Sequence, residues 1–230
     1  MRTKRVALAH SETEVPSMLE LKNITWLGHD GFRIKAQGLT IYIDPYQLKG
    51  KPEPADLILI THEHYDHLSA EDLAKVRTDS TIIVAPPKAA QQLVGSVQTI
   101  RPGQNLNVRG VGIEAVPAYN TNKFRAPGQP FHPRQNQGVG YIITVDGTRI
   151  YHAGDTDFIP EMRNVRADVA LLPVSGTYVM TAEEAAQAAD AIRPQTAIPM
   201  HFGAIVGSEA DAEQFRKLTK VPVQILTPQP

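Results

Sequence analysis

The chain of 230 residues contains no cysteine, which removes disulfides, thiolate metal ligands and cysteine nucleophiles together. It has no apolar run of about 18 residues, so no stretch reads as a membrane-spanning helix. It has no excess of one charge, with 23 Lys and Arg against 24 Asp and Glu, and so lacks the basic footprint of a nucleic-acid binder. Hydrophobic residues make up 42%, which excludes wholesale disorder, and the length suffices to bury a core without covalent staples. What stands out in place of cysteine is histidine, with eight residues.

No internal repeat or low-complexity linker divides the chain. Residues 1–17 are polar, show no clear period and end in Pro16-Ser17. Their apolar stretch at 6–9 is shorter than the roughly 7–15 residues of a signal-peptide core. We expect a flexible N-terminal arm over 1–17, a single domain over 18–230 and a cytoplasmic location. Short β-like segments follow at 19–26, 32–35 and 39–43, and Leu57–Ile60 is a continuous apolar run suited to a strand covered on both faces. A capping-box-like start at Ser69 opens a helix. A strand is expected at 81–84, a helix at 87–94 and strands at 97–100, 106–108 and 112–116. Residues 117–137 read as a long loop, and loops of that length inside a domain are usually functional or disordered. Asp146-Gly147 joins strands 140–145 and 149–151 as a hairpin. Strands at 169–174, 196–199 and 223–226 alternate with helices at 181–192 and 208–218. Antiparallel strands lead each half and helices follow, which favours a layered α/β arrangement with two sheets inside and helices outside.

The densest local feature is Thr61-His62-Glu63-His64-Tyr65-Asp66-His67. Random placement gives on the order of 0.0005 matches to this His-x-His-x-Asp-His pattern in such a chain, so accidental histidines in a polar loop are a poor explanation. In extended backbone, residues two apart face the same way, so His62 and His64 can grip one metal. Asp66 and His67 lie where the chain turns towards the helix and can face a second. Imidazole and carboxylate without sulfur suit zinc, manganese or iron. Asp155, in Gly154-Asp155-Thr156, and His201, after the strand at 196–199, repeat one arrangement of apolar strand, sharp turn and ligand-type residue. The bland alternatives are a turn carboxylate and a hydrogen-bonded core histidine.

These segments together resemble the metallo-β-lactamase superfamily, over nearly everything from Leu19 to Leu226. Trp26-Leu27-Gly28-His29 and Ile43-Asp44-Pro45 are most similar to its branch containing ascorbate-6-phosphate lactonase and N-acyl phosphatidylethanolamine phospholipase D. The resemblance implies a four-layer αββα sandwich with two divalent ions at one edge, zinc or manganese, or iron. It implies that His62 and His64 hold one ion, that Asp66, His67 and His201 hold the other, and that Asp155 bridges them. The family's mid-chain third histidine falls where this chain reads Val116-Pro117-Ala118-Tyr119-Asn120, and a neutral amide is a weak substitute. Three readings of nearby His132 stay open: the missing ligand, a residue of the substrate pocket, or a surface histidine. His29, Asp44, Asn120, Lys123, His152 and Tyr178 are candidates for support behind the ligands or for substrate contact; Asp44 reads as a carboxylate orienting a ligand imidazole. Arg125, with Lys123, could meet an anionic substrate.

Two adjacent cations lower the pKa of a shared water and stabilise a developing oxyanion. The expected function is therefore a metal-dependent hydrolase. A hydroxide bridging the metals, oriented by Asp66 with Asp155, would cleave an ester, lactone or phosphodiester bond in a small polar or anionic substrate. The rivals are a phosphodiesterase or nuclease of the same fold and a non-catalytic metal-binding regulatory protein. The expected partner is a small-molecule substrate, with no nucleic acid and no membrane, and a homo-oligomer is compatible with the sequence.

Overall fold

The computed structural model describes residues 20–229; the arm expected over 1–17 lies outside them. The first sheet runs in chain order through β1 (Ile24–Gly28), β2 (Gly31–Ala36), β3 (Leu39–Ile43), β4 (Leu57–Leu59), β5 (Ile82–Ala85) and β6 (Val97–Thr99). Its first three strands form an antiparallel meander, and β4 to β6 add on in parallel. The parallel connections need crossovers; residues 44–56 make the first without a helix, and α1 (Ala70–Val76) and α2 (Pro87–Ala90) supply the other two.

The second sheet repeats the scheme. It contains β7 (Asn105–Val108), β8 (Val111–Pro117), β11 (Val139–Val145), β12 (Thr148–His152), β13 (Val169–Pro173) and β14 (Thr196–Met200), with β9 (Phe124–Ala126) and β10 (Gln129–Pro130) forming a separate small hairpin. The strands are antiparallel as far as β12 and then parallel through β13 and β14. Helices α3 (Ala182–Ile192) and α4 (Glu209–Leu218) pack beside β13 and β14 respectively.

Period-two patterning sorts the first sheet's side chains into two cores. Ile41, Ile43, Leu57, Leu59 and Val84 point to the other sheet. Tyr42, Ile58, Ile60, Ile83 and Ala85 point outward onto Leu73, Val76 and Ala89 of the helices. Two sheets face to face with helices outside give the expected four-layer αββα sandwich. Local signals act as expected at α3, where Thr181 accepts from the Glu184 N–H and Glu184 Oε2 accepts from the Thr181 N–H. Among the described residues no helix is long and apolar enough to cross a membrane.

Three segments differ from expectation. The helix from Pro87 closes at Ala90, because Gln92 and Leu93 turn back onto Ala89 and Ala90 before Gly95. The 117–137 loop contains the β9–β10 hairpin, whose turn is Pro127-Gly128 with Gly128 at φ +72°, the Pro-then-Gly arrangement of a type II turn. Residues 223–226 form one bridge and no strand. The Ala197 N–H donates to Pro222 O and the Gln224 N–H to Ala197 O. Two residues on, Pro199 has no N–H to continue the ladder.

Candidate metal centre

The turns that follow the strands at one edge of the sandwich carry the candidate residues. Thr61–His67 follows β4, Asp155 follows β12, His201 follows β14, and His29-Asp30 is the two-residue turn between β1 and β2. Ligand sites of open α/β sheets gather at such carboxyl ends. Three of the ten non-glycine residues with positive φ among the described residues lie here, His29, Asp44 and His201, with φ of +49°, +42° and +60°, conformations that cost energy in a non-glycine residue. Gly154 (φ +63°) lets the chain pass β11; a Cβ there would lie 2.8 Å from Val139 O.

His62 Nε2 and His132 Nε2 each lie 3.1 Å from His64 Nδ1. Asp155 Oδ2 is 3.2 Å from His132 Nε2, 3.5 Å from His201 Nε2 and 4.0 Å from His62 Nε2. Asp155 Oδ1 is 3.4 Å from His67 Nε2. Ligand atoms about 2.1 Å from a tetrahedral ion lie about 3.4 Å apart, so these spacings suit ions between them. His62, His64 and His132 form one group able to hold a metal; His62, His67 and Asp155 form another. The structure thus brings together His62, His64, His67, His132, Asp155 and His201. Asp66 borders them, with Oδ2 4.0 Å from His67 Nε2 and accepting from His29 Nε2 at 3.1 Å.

Each inward-facing Nε2 is set by what its Nδ1 touches. The Thr61 hydroxyl gives its proton to Asp44 Oδ2 (2.5 Å), so it accepts from His62 Nδ1 (3.0 Å). Asp44 Oδ2 accepts from His67 Nδ1 (2.8 Å). Asn120 Oδ1 accepts from His132 Nδ1 (2.9 Å), its orientation fixed because Asn120 Nδ2 donates to Asp157 Oδ1 and Tyr178 O. The Ser175 hydroxyl donates to Thr177 O and accepts from His201 Nδ1 (2.9 Å). A proton on Nδ1 leaves the Nε2 lone pair of a neutral ring facing inward, as a metal-binding imidazole requires.

Burial, helped by the neighbouring His67, holds His62 well below the ordinary histidine range, and burial with His132 lowers His64. Burial opposes charge on His67 too, but the Asp155 and Asp44 carboxylates outweigh it and hold that ring well above its usual value. Asp155 is held well below the usual carboxylate range by His67, His201 and His132, against burial.

The remaining candidates scatter. His152 is fully buried behind the cluster, accepting from the Gly154 N–H and donating through Nε2 to Asp30 O. Lys123 pairs with Glu184 at 2.7 Å and lies 3.6 Å from Asp157, so its charge is already engaged. Arg125 lies over the Phe131 ring. Tyr178 is partly exposed and packs edge-on against Phe131. The sequence reading missed Asp30 and Asp157. Asp157 takes the Thr121 and Asn122 N–H groups and Asn120 Nδ2. Asp30 is fully buried among the ligand-type residues; its one signal in sequence was its place beside His29.

A histidine and carboxylate cluster at the edge of an αββα sandwich defines a metallohydrolase. Residues 23–201 match the beta-lactamase superfamily domain. The chain is 35% identical over 210 residues to the UPF0173 metal-dependent hydrolase of Methanopyrus kandleri, covering 84% of this chain and 90% of the relative. A crystal structure of a Parabacteroides distasonis protein assigned as a metal-dependent hydrolase superposes with a TM-score of 0.79 at 34% identity, over 90% of this chain and 93% of that one. Igni18, a metallo hydrolase of Ignicoccus hospitalis, shares the fold with a TM-score of 0.72 at 24% identity, over 90% and 95% of the two chains. The chain belongs to the metallo-β-lactamase superfamily, in its UPF0173 family of metal-dependent hydrolases.

Proposed function

We propose that this metal-dependent hydrolase works with two divalent ions, zinc or manganese or iron, and cleaves an ester, lactone or phosphodiester bond in a small polar or anionic substrate. In this reading His62, His64 and His132 hold the first ion. Asp66, His67 and His201 would hold the second, and Asp155 would serve both. The supporting observation is the hydrogen-bond pattern: four separate oxygen atoms lie within 3.0 Å of Nδ1 of His62, His67, His132 and His201, and all four Nε2 atoms lie within 4.0 Å of an Asp155 oxygen.

Two adjacent ions supply a water acidified to near-neutral pKa and positive charge for the developing oxyanion. The chain's own residues do the rest. Asp44 locks the His67 ring while binding both polar groups of Thr61. His29 Nε2 donates to Asp66 Oδ2, which leaves the other carboxylate oxygen to orient a nucleophilic water and take its proton. Tyr65, exposed between His64 and Asp66, keeps its phenol protonated because the Asp66 charge, with burial and Tyr46, raises its pKa; it can donate to a polar or anionic group. A cavity of about 670 Å³ lies against His29, lined also by Tyr46, Lys49 and Glu213, within the usual range of small-molecule sites. The resemblance of Trp26–His29 and Ile43–Pro45 to segments of the lactonase and phospholipase branch is a motif-level reason for proposing the same bond classes. A small-molecule partner with no nucleic acid or membrane, one hydrolase domain over 18–230 and a cytoplasmic location belong to this proposal.

The test is a hydrolysis screen of lactones, aryl esters and phosphodiesters on protein reconstituted with zinc or manganese. Turnover of one class, lost with chelator, supports the reading. Turnover unchanged in metal-free protein sinks it.

A further inference from the structure

Asp30 has no assigned work, yet its position is costly. The carboxylate is fully buried, and neither oxygen has a hydrogen-bond partner among the described residues. A buried ionised carboxylate persists only when paired or bound to a metal. Its charged neighbours are the Asp155 carboxylate, which adds to burial in raising the Asp30 pKa, and His67, whose Nε2 lies 3.6 Å from Asp30 Oδ2. The Nε2 atoms of His67 and His201 and Oδ1 of Asp155 are likewise buried and unpartnered. His29, Asp30, His67 and His201 each offer one ligand-type atom, all within 4.8 Å of one another. Five orphaned atoms on four residues thus surround the second of the two positions.

The composition of the two positions is unequal. The first is faced by three imidazoles and Asp155. The second is faced by Asp66, Asp155 and Asp30 with His67 and His201. Oxygen-rich sites favour manganese relative to imidazole-rich ones, which suit zinc.

We propose that Asp30 is a direct ligand of the second ion, and that this extra carboxylate makes the second position favour manganese relative to zinc. The inference rests on the two-ion reading above. The rival role for Asp30 is a neutral acid that hydrogen-bonds Asp155, which Asn would reproduce.

The test uses metal-free full-length protein titrated with Mn²⁺, the free ion being followed by its EPR signal. Wild type should bind two ions. Asp30→Asn should keep one and bind the other about tenfold more weakly or worse. In the metal-free state the variant should melt no lower than wild type, because repulsion with Asp155 is relieved; with Mn²⁺ present it should melt lower. Two Mn²⁺ bound with wild-type affinity by Asp30→Asn overturns the proposal. One Mn²⁺ or none on wild type overturns the two-ion reading and this inference with it, and is seen without any variant. Should the variant not fold, anomalous diffraction from wild-type crystals given equal zinc and manganese decides. Manganese at the position facing Asp30 supports the proposal; manganese out of reach of that carboxylate overturns it.

Discussion

Asn120 Oδ1 accepts two hydrogen bonds from one residue, the backbone N–H of His132 at 2.8 Å and its ring Nδ1–H at 2.9 Å. The position that looked like a lost ligand in the sequence therefore holds the histidine that arrives from the next loop. Asn120→Ala should leave the fold intact and weaken metal binding at His62, His64 and His132 by about 10–100-fold. A chelator competition on the purified variant measures this. Affinity equal to wild type would show that His132 needs no such support.

Removing the ions should cost both turnover and stability. Chelated protein should lose at least about a thousandfold in rate, since such ions contribute several kcal/mol of transition-state stabilisation. It should also melt lower, because a ligand at a hundred times its Kd stabilises the folded state by about 2.7 kcal/mol. Activity assays and thermal melts before and after readdition of zinc or manganese check both. His132→Ala should then retain close to one ion per chain by elemental analysis.

Asp72 tests a part of the molecule away from the chemistry. Its carboxylate accepts from the Gln47 and Leu48 N–H groups, the Ser69 hydroxyl and Lys75 Nζ, tying the segment after β3 to α1. Burial raises its pKa, but those donors outweigh burial and the net shift is downward. A lowered folded-state value adds stability that is fully present above the unfolded pKa near 3.9 and lost as pH falls through the folded value. Asp72→Asn should destabilise by about 1–3 kcal/mol at neutral pH. The gap to wild type should shrink below about pH 4, as chemical denaturation at several pH values will show.

Gly154→Ala should be severe for so small a change. The left-handed backbone costs about 1–2 kcal/mol in a non-glycine residue, and the new Cβ would press on Val139 O. We expect a loss of about 2 kcal/mol or more together with reduced metal content, because Asp155 is the next residue. Denaturant unfolding and elemental analysis read the two effects separately.

What the sequence made legible follows from distance along the chain. His62, His64, Asp66 and His67 lie within one strand end and turn, so spacing alone groups them. The Thr181 capping box and the Asp146-Gly147 hairpin are likewise local. The path of 117–137 is not local: it depends on Asp157 drawing in Thr121 and Asn122 and on the Pro127-Gly128 turn, and these place His132. Asp30 was hidden by the ordinary habits of its type. Aspartate beside glycine is common in turns, and only the folded structure shows this one as a buried carboxylate beside His67 and His201. The short α2 and the missing strand after Pro222 depend on backbone donors, which side-chain patterning does not report.

The two sheets are built from successive halves of the chain, and neither half owns the cluster. His29 to His67 come with the first sheet; His132, Asp155 and His201 come with the second. Each of the groups able to hold a metal at His62 therefore also draws on the second half of the chain, through His132 or Asp155. An ion held there would join the two halves like a rivet, so the stability of the folded protein would follow the metal concentration around it.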